Sequence, residues 1–197
     1  MKAHYFIPAI FATLMLSACG NTNKPDETKP VDTALNTGKD TVAAKVPEDK
    51  TKRESPPKTA SFDVNGVKVT LNWGSPKVKG RAIWGALVPY GEVWRTGANE
   101  ATTIEFDKNA KVGGKEIPAG KYGLFTLPGK KEWSVIFNTR PDQWGAYEYE
   151  KDKDQLRITT KPEPAEMTEN LEFVAEKGKV YMVWEKLKVG FTVEAGK

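Results

Sequence analysis

Cysteine and histidine are almost absent from this sequence of 197 residues, which contains only Cys19 and His4. One cysteine cannot form an internal disulfide bond, and the chain after residue 19 has neither a thiol nor an imidazole. Triads built on histidine, thiolate nucleophiles and ordinary zinc sites are therefore excluded from that part. We expect the folded protein to hold no metal and no cofactor.

An excess of charge of one sign is also missing. The sequence has 30 basic and 26 acidic residues, a net charge of +4 and a pI of about 9.0. Its lysines alternate with acids, as in residues 148–154 (Glu-Tyr-Glu-Lys-Asp-Lys-Asp), and do not form a basic stripe. The two glycines of residues 111–115 fit a hairpin turn better than a phosphate loop. We therefore expect the protein to bind neither nucleic acid nor nucleotides.

The apolar stretch at the N-terminus is too short to span a bilayer well. Lys2 precedes an apolar segment over residues 5–16, and residues 16–19 read Leu-Ser-Ala-Cys, which is the layout of a secretory signal ending at residue 18. This run resembles the lipobox of bacterial lipoproteins. The resemblance implies that the signal is removed before Cys19 and that its thiol and the new amino group are acylated. The alternative is an ordinary signal with an incidental cysteine.

The lipobox resemblance implies a location and a partner. Acyl chains on Cys19 hold such a protein in membrane lipid, because each buried CH₂ group contributes roughly 0.8 kcal/mol. Gly20 follows the cysteine, and in familiar diderm lipoproteins a residue other than Asp at this position favours the outer membrane. We therefore expect a palmitoylated lipoprotein of the cell envelope. The membrane face, periplasmic or external, stays open.

Aromatic residues are absent from residues 20–59, where Lys, Asp, Glu, Thr, Asn and Pro dominate. Such a segment buries too little apolar surface to offset the entropy of ordering. We interpret residues 19–59 as the lipidated cysteine followed by a disordered tether. Two Asp-Thr-small or Asp-Thr-aliphatic triplets resemble the O-glycosylation acceptor of Bacteroidetes, which implies sugar on Thr33 and Thr41. A tail rich in Thr and Asp can also produce such triplets by chance.

All six tryptophans lie after residue 60, in a segment of comfortable size for one core, so we place the folded domain at residues 60–197. Its apolar residues alternate with period two, which is typical of β-strands with one buried face. The residues predicted to share a face are Val67, Val69, Leu71 and Trp73; Trp133, Val135 and Phe137; and Leu187, Val189, Phe191 and Val193.

Turn signals separate these strands at short intervals. Asn65-Gly66 is the strongest short hairpin signal, and Gly113-Gly114, Pro128-Gly129 and Lys177-Gly178 interrupt later runs. No stretch has a convincing helical period. The sequence therefore predicts an all-β fold of about eight to ten antiparallel strands, either a β-sandwich or a flattened barrel of hairpins.

Three polar residues, Arg95, Asn99 and Glu100, interrupt a stretch that otherwise reads as the start of a buried strand. If Ile104 faces the core, the alternation of a strand places Glu100 on the same side. A buried carboxylate needs a cation. We expect Arg95 or Arg81 to form a bidentate pair with Glu100, which either locks a loop structurally or belongs to a ligand site.

A second polar cluster, at residues 138–149, mixes Trp144 and Tyr147 with amide, guanidinium and carboxylate groups. Loops of this composition suit polar ligands such as sugars. Both aromatic residues can equally be core anchors. The candidate ligand-binding residues are Arg81, Arg95, Asn99, Glu100, Trp144 and Tyr147.

Three functions remain compatible with the sequence. The preferred one is a binding module for a polar ligand, either a glycan or peptidoglycan-related molecule, or for a protein partner. The second is a carboxylate-based hydrolase of the glycosidase type, with Glu100 and either Glu148 or Asp142 as the acid/base pair. The third is a purely structural envelope protein. Since the sequence does not set the separation of the carboxylates, the question of an enzyme stays open.

Four runs in the domain carry a family resemblance. They are Ser-Pro-Lys-Val-Lys-Gly-Arg (75–81), Trp-Arg-Thr-Gly-Ala-Asn-Glu-Ala-Thr (94–102), Pro-Ala-Gly-Lys-Tyr-Gly-Leu-Phe-Thr-Leu-Pro (118–128) and Gln-Trp-Gly-Ala-Tyr-Glu-Tyr (143–149). Together they resemble the bacterial domain-of-unknown-function family 2911, common among exported Bacteroidetes proteins. The resemblance covers nearly the whole domain from about residue 62. It agrees with an exported protein and implies no reaction, ligand or catalytic residue.

Overall fold

The computed structural model describes residues 48–197. The predictions for the signal segment, for acylation of Cys19 and for glycosylation of Thr33 and Thr41 lie outside the described residues, as does most of the expected tether. Among residues 48–197, no helix is long and apolar enough to cross a membrane.

Ten strands and two short 3-10 helices make up the regular structure of residues 48–197. The strands are β1 (Pro57–Val64), β2 (Val67–Gly74), β3 (Ala98–Phe106), β4 (Ala110–Val112), β5 (Lys115–Ile117), β6 (Gly120–Leu127), β7 (Trp133–Asn138), β8 (Asp154–Thr160), β9 (Glu163–Glu176) and β10 (Lys179–Ala195). The 3-10 helices are Lys50–Lys52 and Lys151–Lys153.

The strands form two antiparallel sheets that pack face to face. One sheet has the order β1-β2-β3-β6-β7-β8, and the other has the order β5-β4-β10-β9. Aromatic side chains join the sheets edge to face: the ring centroids of Trp73 and Phe173 lie 5.0 Å apart, and those of Phe137 and Phe191 lie 5.4 Å apart. The all-β prediction is confirmed, and of the two expected architectures the sandwich is observed.

Two of the predicted hairpin turns show how local residues determine a connection. Asn65 and Gly66, between β1 and β2, have φ of 52° and 76°. Lys177 and Gly178, between β9 and β10, have φ of 50° and 74°. Consecutive positive φ values are typical of the type I′ turn, whose twist matches that of the flanking strands. Asn and Gly adopt this region with little strain, so Asn65, Gly66 and Gly178 explain why these hairpins could be predicted, whereas Lys177 enters the same region as a non-glycine residue.

The main core lies between the two sheets and follows the predicted alternation. Along β2, Val67, Val69, Leu71 and Trp73 are all buried, whereas Lys68 between them is exposed. Burial of such large apolar side chains contributes roughly 1.5–3 kcal/mol each relative to exposure. The sheet-to-sheet core is therefore the main source of stability in the domain.

A smaller apolar cluster lies on the other face of the six-stranded sheet. Ala101, Phe125 and Ile136 are buried there and pack against Ala146 and Tyr149. The last two residues belong to the loop between β7 and β8. This loop therefore covers the sheet, and its backbone position is set by packing.

The strand β3 is irregular where the sequence changes from apolar to polar. Its pairing with β2 shifts register between Asn72 and Gly74, so β3 contains extra residues at this point, and Asn99 there has a φ of 63°. The side chain of Glu100 is 42% exposed. The prediction that Glu100 faces the core was wrong, because side chains alternate between faces only where the pairing is regular.

Regular structure begins within the segment that the sequence assigned to the tether. The 3-10 helix Lys50–Lys52 precedes β1, which begins at Pro57. Arg53 donates hydrogen bonds to the carboxylates of Glu48 and Glu100. Residues 48–59 therefore differ from the expected tether. Charge pairs and backbone hydrogen bonds hold this segment in place, and its low apolar content does not reveal such contacts.

Candidate functional site

The longest connection between strands in residues 48–197 is the loop of residues 75–97, which joins β2 to β3. Connections longer than roughly 12 to 15 residues are uncommon in compact domains, and the ordered ones are usually functional. Backbone hydrogen bonds fasten this loop to both sheets. Val78 N–H donates to the Glu169 carbonyl of β9 (2.8 Å), and Trp94 N–H donates to the Thr126 carbonyl of β6 (2.7 Å). The loop is therefore a well-fixed part of the surface.

Tryptophan rings anchor the end of this loop. The Trp84 ring lies edge to face with Trp133 (5.0 Å between centroids), Trp184 (5.7 Å) and Trp94 (6.0 Å). Trp94 also stacks on Trp184, with centroids 6.0 Å apart. Aromatic pairs of this kind contribute roughly 0.5–1.5 kcal/mol beyond their buried area. The cluster thus fixes Trp94 and with it the position of the next residue, Arg95.

The backbone just after Arg95 is strained. Thr96 is buried and has a φ of 53°, a region that a β-branched residue rarely adopts. Its carbonyl accepts a hydrogen bond from Thr102 Oγ1 (2.9 Å). A Cβ at Gly97 would lie 2.7 Å from that same Oγ1, so only glycine fits there. Backbone strain that is maintained by surrounding contacts is common at functional sites. The side chain of Arg95, next to the strained Thr96, is therefore a candidate functional group.

The guanidinium of Arg95 lies half-buried without a protein acceptor for its Nε. This Nε atom is buried, and no hydrogen-bond partner for it exists within residues 48–197. Burial lowers the pKa of Arg95, and the nearby Tyr147 raises it by a smaller amount. A buried donor without an acceptor costs roughly 1–3 kcal/mol. The unpaired Nε–H group opposes folding, so its burial needs an explanation other than stability.

Arg95 forms part of the wall of a cavity of about 220 Å³, which we call the arginine pocket. The residues that define this pocket are Glu54, Lys77, Lys79, Arg81, Trp94, Arg95 and Trp184. Its single carboxylate, on Glu54, is ion-paired with Lys79. Arg81 Nε donates to the Val78 carbonyl (3.1 Å). Within the described chain, no carboxylate lies within ion-pair distance of Lys77, Arg81 or Arg95. The pKa of Glu54 is lowered chiefly by its hydrogen bond with Lys79 and further by the charges of Arg81 and Lys77. The four cations of the pocket therefore outnumber its one carboxylate.

The salt bridge predicted between Glu100 and Arg95 or Arg81 was wrong. Glu100 accepts hydrogen bonds from Lys50 Nζ and from Arg53 Nη1, each at 2.8 Å. Burial raises the pKa of Glu100, but the hydrogen bonds from Lys50 and Arg53 outweigh this effect and hold it below its usual value. The carboxylate is therefore kept ionised by residues far away in the sequence.

Glu100 and Trp144 line a second cavity, a groove of about 570 Å³ that we call the carboxylate groove. The residues that define it are Lys50, Glu100, Asp142, Gln143 and Trp144. The guanidinium carbon of Arg53 lies 5.6 Å from the centroid of the Trp144 ring, within cation–π distance. Gln143 Oε1 is buried and has no donor among residues 48–197. The groove therefore has a fixed carboxylate, and its lining residue Gln143 has a buried amide oxygen without a donor in the described residues.

The hydrolase alternative requires Glu100 and a second carboxyl group in one site. Asp142 lines the same groove as Glu100, whereas Glu148 is not part of that groove and pairs with Arg140 (3.2 Å). The acid of a glycosidase needs a raised pKa in order to keep its proton near neutral pH. The pKa of Glu100 is shifted in the opposite direction. Glu100 is therefore unsuited to be the catalytic acid.

The remaining candidates differ in their surroundings. Tyr147 and Arg95 line a third cavity of about 280 Å³, the tyrosine pocket, which Leu87 and Pro89 also line. The Tyr147 side chain is 85% exposed, so it is not a core anchor. Asn99 Nδ2 donates to the Ser55 carbonyl (2.9 Å) and so holds the segment before β1 in place.

The structure distributes the predicted residues over three cavities. Arg81 and Arg95 meet in the arginine pocket, Arg95 and Tyr147 meet in the tyrosine pocket, and Glu100 and Trp144 meet in the carboxylate groove. Arg95 is the member that two cavities share. The two polar clusters of the sequence thus come together at two places, Arg95 with Tyr147 and Glu100 with Trp144, and not around an Arg95–Glu100 pair.

Several residues of the arginine pocket are not among the candidates that the sequence predicts. Lys77 and Lys79 stand beside Arg81 in one short run, and this density of cations was the available signal. Trp184 lies in β10 and follows an apolar run that reads only as a buried strand. Its place beside Arg95 depends on the packing of β10 against the loop of residues 75–97, which leaves no local pattern.

Residues 55–193 match the family described as Protein of unknown function (DUF2911). The match includes β1 to β9, most of β10 and the complete loop of residues 75–97. It begins ahead of residue 60, where the sequence alone placed the start of the domain. No curated protein and no solved structure matches the chain. Since the match covers most of its length, the chain belongs to the DUF2911 family, which the four sequence runs resemble.

Proposed function

We propose that this protein is a lipid-anchored component of the cell envelope whose β-domain binds a polar, negatively charged ligand of the glycan or peptidoglycan class. Acylated Cys19 attaches the chain to membrane lipid, with the outer membrane as its location. The arginine pocket receives the ligand. The support for anchoring is the Leu-Ser-Ala-Cys run, and the support for binding is the geometry around Arg95.

The unbalanced charge of the arginine pocket carries the binding proposal. Lys77, Lys79, Arg81 and Arg95 line one cavity that has a single carboxylate, on Glu54, and this carboxylate is ion-paired with Lys79. Neighbouring cations repel one another, so a purely structural cluster is expected to include acids that balance them. A carboxylate on a ligand balances the charge and can accept from Arg95. The planar guanidinium group suits this role because it can donate two parallel hydrogen bonds.

Aromatic side chains supply the apolar part of the same pocket. Trp94 and Trp184 line it beside the cations. Ligand sites generally combine aromatic walls with a small number of placed polar groups that fix orientation. This combination favours an acidic sugar over a bare inorganic anion, because a sugar offers C–H surface to the rings as well as charge to the guanidinium groups.

The shape of the surface distinguishes a binding protein from a purely structural envelope protein. A protein with a purely structural role is expected to have a filled surface where these loops meet, whereas a cavity lies on each side of Arg95. The concavity therefore favours binding. A protein partner with acidic side chains is the competing occupant, and an acidic peptide belongs in the test for that reason.

Titration of the protein with saccharides tests the proposal. Tryptophan fluorescence is a direct measure, since Trp94 and Trp184 line the pocket. The ligands are uronic-acid oligosaccharides and soluble peptidoglycan fragments, with neutral oligosaccharides of equal length as controls. We expect the acidic ligands to bind at least about tenfold more tightly than the neutral ones, since a charge-assisted hydrogen bond contributes roughly 1.5–3 kcal/mol.

Variants of the pocket separate specific binding from general charge attraction. Arg81→Gln and Arg95→Gln are each expected to weaken binding of the acidic ligands by about tenfold or more. Arg140→Gln is the matched control, because Arg140 pairs with Glu148 and does not line the arginine pocket. Equal losses in all three variants, or equal affinity for acidic and neutral ligands, contradict the proposal.

A further inference from the structure

The arginine pocket and the tyrosine pocket adjoin, and we call the residues that line both of them the ridge. Leu87, Trp94 and Arg95 line both cavities. Trp94 is held by the tryptophan cluster and Arg95 by the strained backbone at Thr96, so the ridge has a fixed position. A ligand bound in one cavity therefore lies next to the other cavity, and Arg95 borders both cavities.

The two sides of this ridge differ in chemistry. The cations Lys77, Lys79 and Arg81 line only the arginine pocket. The tyrosine pocket is lined mainly by apolar and aromatic side chains, including Pro89 and the largely exposed Tyr147, and its one carboxylate, Glu92, disfavours a second negative charge there. One side therefore suits a negatively charged group and the other suits an uncharged group with flat apolar surface.

The backbone near Tyr147 brings its ring close to Arg95. Gly145 has a φ of 68°, and a Cβ at this position would lie 3.0 Å from the Tyr147 ring and 3.7 Å from Arg95 Nη1. Gly145 N–H donates to the Asn99 carbonyl (3.0 Å), which joins the loop of Tyr147 to β3. The absence of a side chain at residue 145 thus leaves room for the ring and the guanidinium group to lie near each other.

We infer that the ligand is an acidic oligosaccharide of at least two sugar units that crosses this ridge. Its acidic sugar lies in the arginine pocket, a neighbouring neutral sugar lies against Tyr147, and Arg95 contacts both. The exposed ring face of Tyr147 selects a sugar, whose C–H face is flat, over an acidic peptide. This inference rests on the proposed function and adds the minimum length of the ligand.

Ligands that differ by one sugar test the inference. The probes are the methyl glycoside of galacturonic acid and two disaccharides in which neutral galactose is linked to either side of the same acid. We expect at least one disaccharide to bind the wild-type protein roughly three- to tenfold more tightly than the monosaccharide, the range that one aromatic contact contributes. Tyr147→Ala is expected to reduce this gain to less than about twofold.

Two further variants show which residue is responsible for the gain in affinity from the second sugar. Arg81→Gln is expected to weaken binding of the monosaccharide and the disaccharide by the same factor, since Arg81 lines only the arginine pocket. Tyr90→Ala is the matched control, because Tyr90 is exposed, belongs to the loop of residues 75–97 and lines neither pocket. Wild-type-like behaviour of this variant supports the role of Tyr147.

The outcomes separate this inference from the proposed function. If the monosaccharide binds and neither disaccharide binds more tightly, or if Tyr147→Ala keeps the gain, the two-sugar inference is overturned while acid binding stands. If no acidic saccharide binds the wild-type protein, the proposed function fails as well. A Glu-containing dipeptide that binds more tightly than both disaccharides and depends on Tyr147 overturns the choice of a saccharide.

Discussion

Burial of the Arg95 guanidinium and the lack of an acceptor for its Nε are both expected to lower the free energy of unfolding. The guanidinium has lost part of its hydration, and its Nε has no partner within residues 48–197. Arg157 is the contrasting case, since it donates to Asp154 (2.9 Å) and to the Tyr149 hydroxyl (2.7 Å). The two arginines therefore allow a comparison of a binding role with a structural role in one domain.

Arg95→Met is expected to leave the free energy of unfolding unchanged or to raise it by up to about 1 kcal/mol. Methionine keeps the packing of the aliphatic stem and removes the unpaired donor. Arg157→Met is expected to lower the free energy of unfolding by roughly 1–3 kcal/mol, because it leaves Asp154 without its cation. Urea denaturation measures both. A loss at Arg95 as large as the loss at Arg157 means that Arg95 has a structural role.

Glu100 connects stability to pH. Its pKa in the folded protein lies below the ordinary value of 4.5, so the stability that it contributes is present above pH 4.5 and is lost as the pH falls through the folded pKa. Because the side chain is partly exposed, solvent screens its ion pairs and the contribution stays below about 1 kcal/mol. The contribution of Glu100 to the free energy of unfolding is therefore small, and it decreases as the pH falls.

Glu100→Gln is expected to be less stable than the wild-type protein at pH 6, and this difference is expected to shrink towards pH 3. The reason is that protonated Glu100 and glutamine both lack the charge that Lys50 and Arg53 require. Urea denaturation at several pH values measures the difference. Glu105→Gln is a matched control, since Glu105 is an exposed residue of the same strand. A difference that is independent of pH contradicts the role given to the ion pairs.

At the scale of elements, the segment before β1 acts as a strap across the start of β3. The Ser55 carbonyl accepts from Asn99 Nδ2 (2.9 Å), and the Pro56 carbonyl accepts from Ser75 N–H (3.0 Å). Lys50 and Arg53 add the ion pairs to Glu100. These contacts hold the irregular part of β3 in place and complete one side of the arginine pocket through residues 54 and 55.

A chain that begins at Pro57 is expected to be less stable than one that begins at Glu48 by roughly 1–3 kcal/mol. The estimate combines exposed ion pairs with two hydrogen bonds of about 0.5–1.5 kcal/mol each. Thermal unfolding of the two chains, followed by tryptophan fluorescence, measures the difference. As a control, Lys50→Gln removes one ion pair only and is expected to have a smaller effect. Equal melting temperatures mean that the strap contributes nothing.

At the scale of the whole molecule, the arginine pocket draws on parts of the chain that are far apart. Residues 54 and 55, the loop of residues 75–97 and Trp184 of β10 all line it. It therefore lies where the long loop meets both sheets. An acidic ligand at 100 times its Kd is expected to stabilise the domain by about 2.7 kcal/mol, provided that it binds only the folded state.

The proposed membrane attachment concerns the whole chain and depends on one residue, Cys19. Cys19→Ala is expected to leave an unacylated precursor that keeps residues 1–18, because the chain has no other thiol for a thioether. Mass spectrometry of the intact protein from the membrane fraction measures both features. Gly20→Ala, which keeps the thiol, serves as the control. A mature wild-type protein without acyl mass contradicts the proposed anchor.

The sequence by itself determined the features that depend on neighbouring residues. The period-two pattern of β2 and the Asn65-Gly66 turn each need only a few consecutive residues, because strand alternation and turn backbone angles are local properties. The all-β antiparallel class follows from many such hairpins in succession, whereas the choice of a sandwich over a flattened barrel came from the tertiary structure. Local clustering of polar residues also identified Arg81 and Arg95 as site candidates.

Only the tertiary structure decided which distant residues meet. Lys50 and Arg53 pair with Glu100 across about fifty residues of sequence, and charge attraction between such residues leaves no periodic pattern. The register shift in β3 turns Glu100 away from the core, and a simple alternation rule does not anticipate it. The unpaired state of Arg95 depends on everything that packs around it. Local periodicity therefore specifies the strands, and packing specifies the charge and shape of the candidate site.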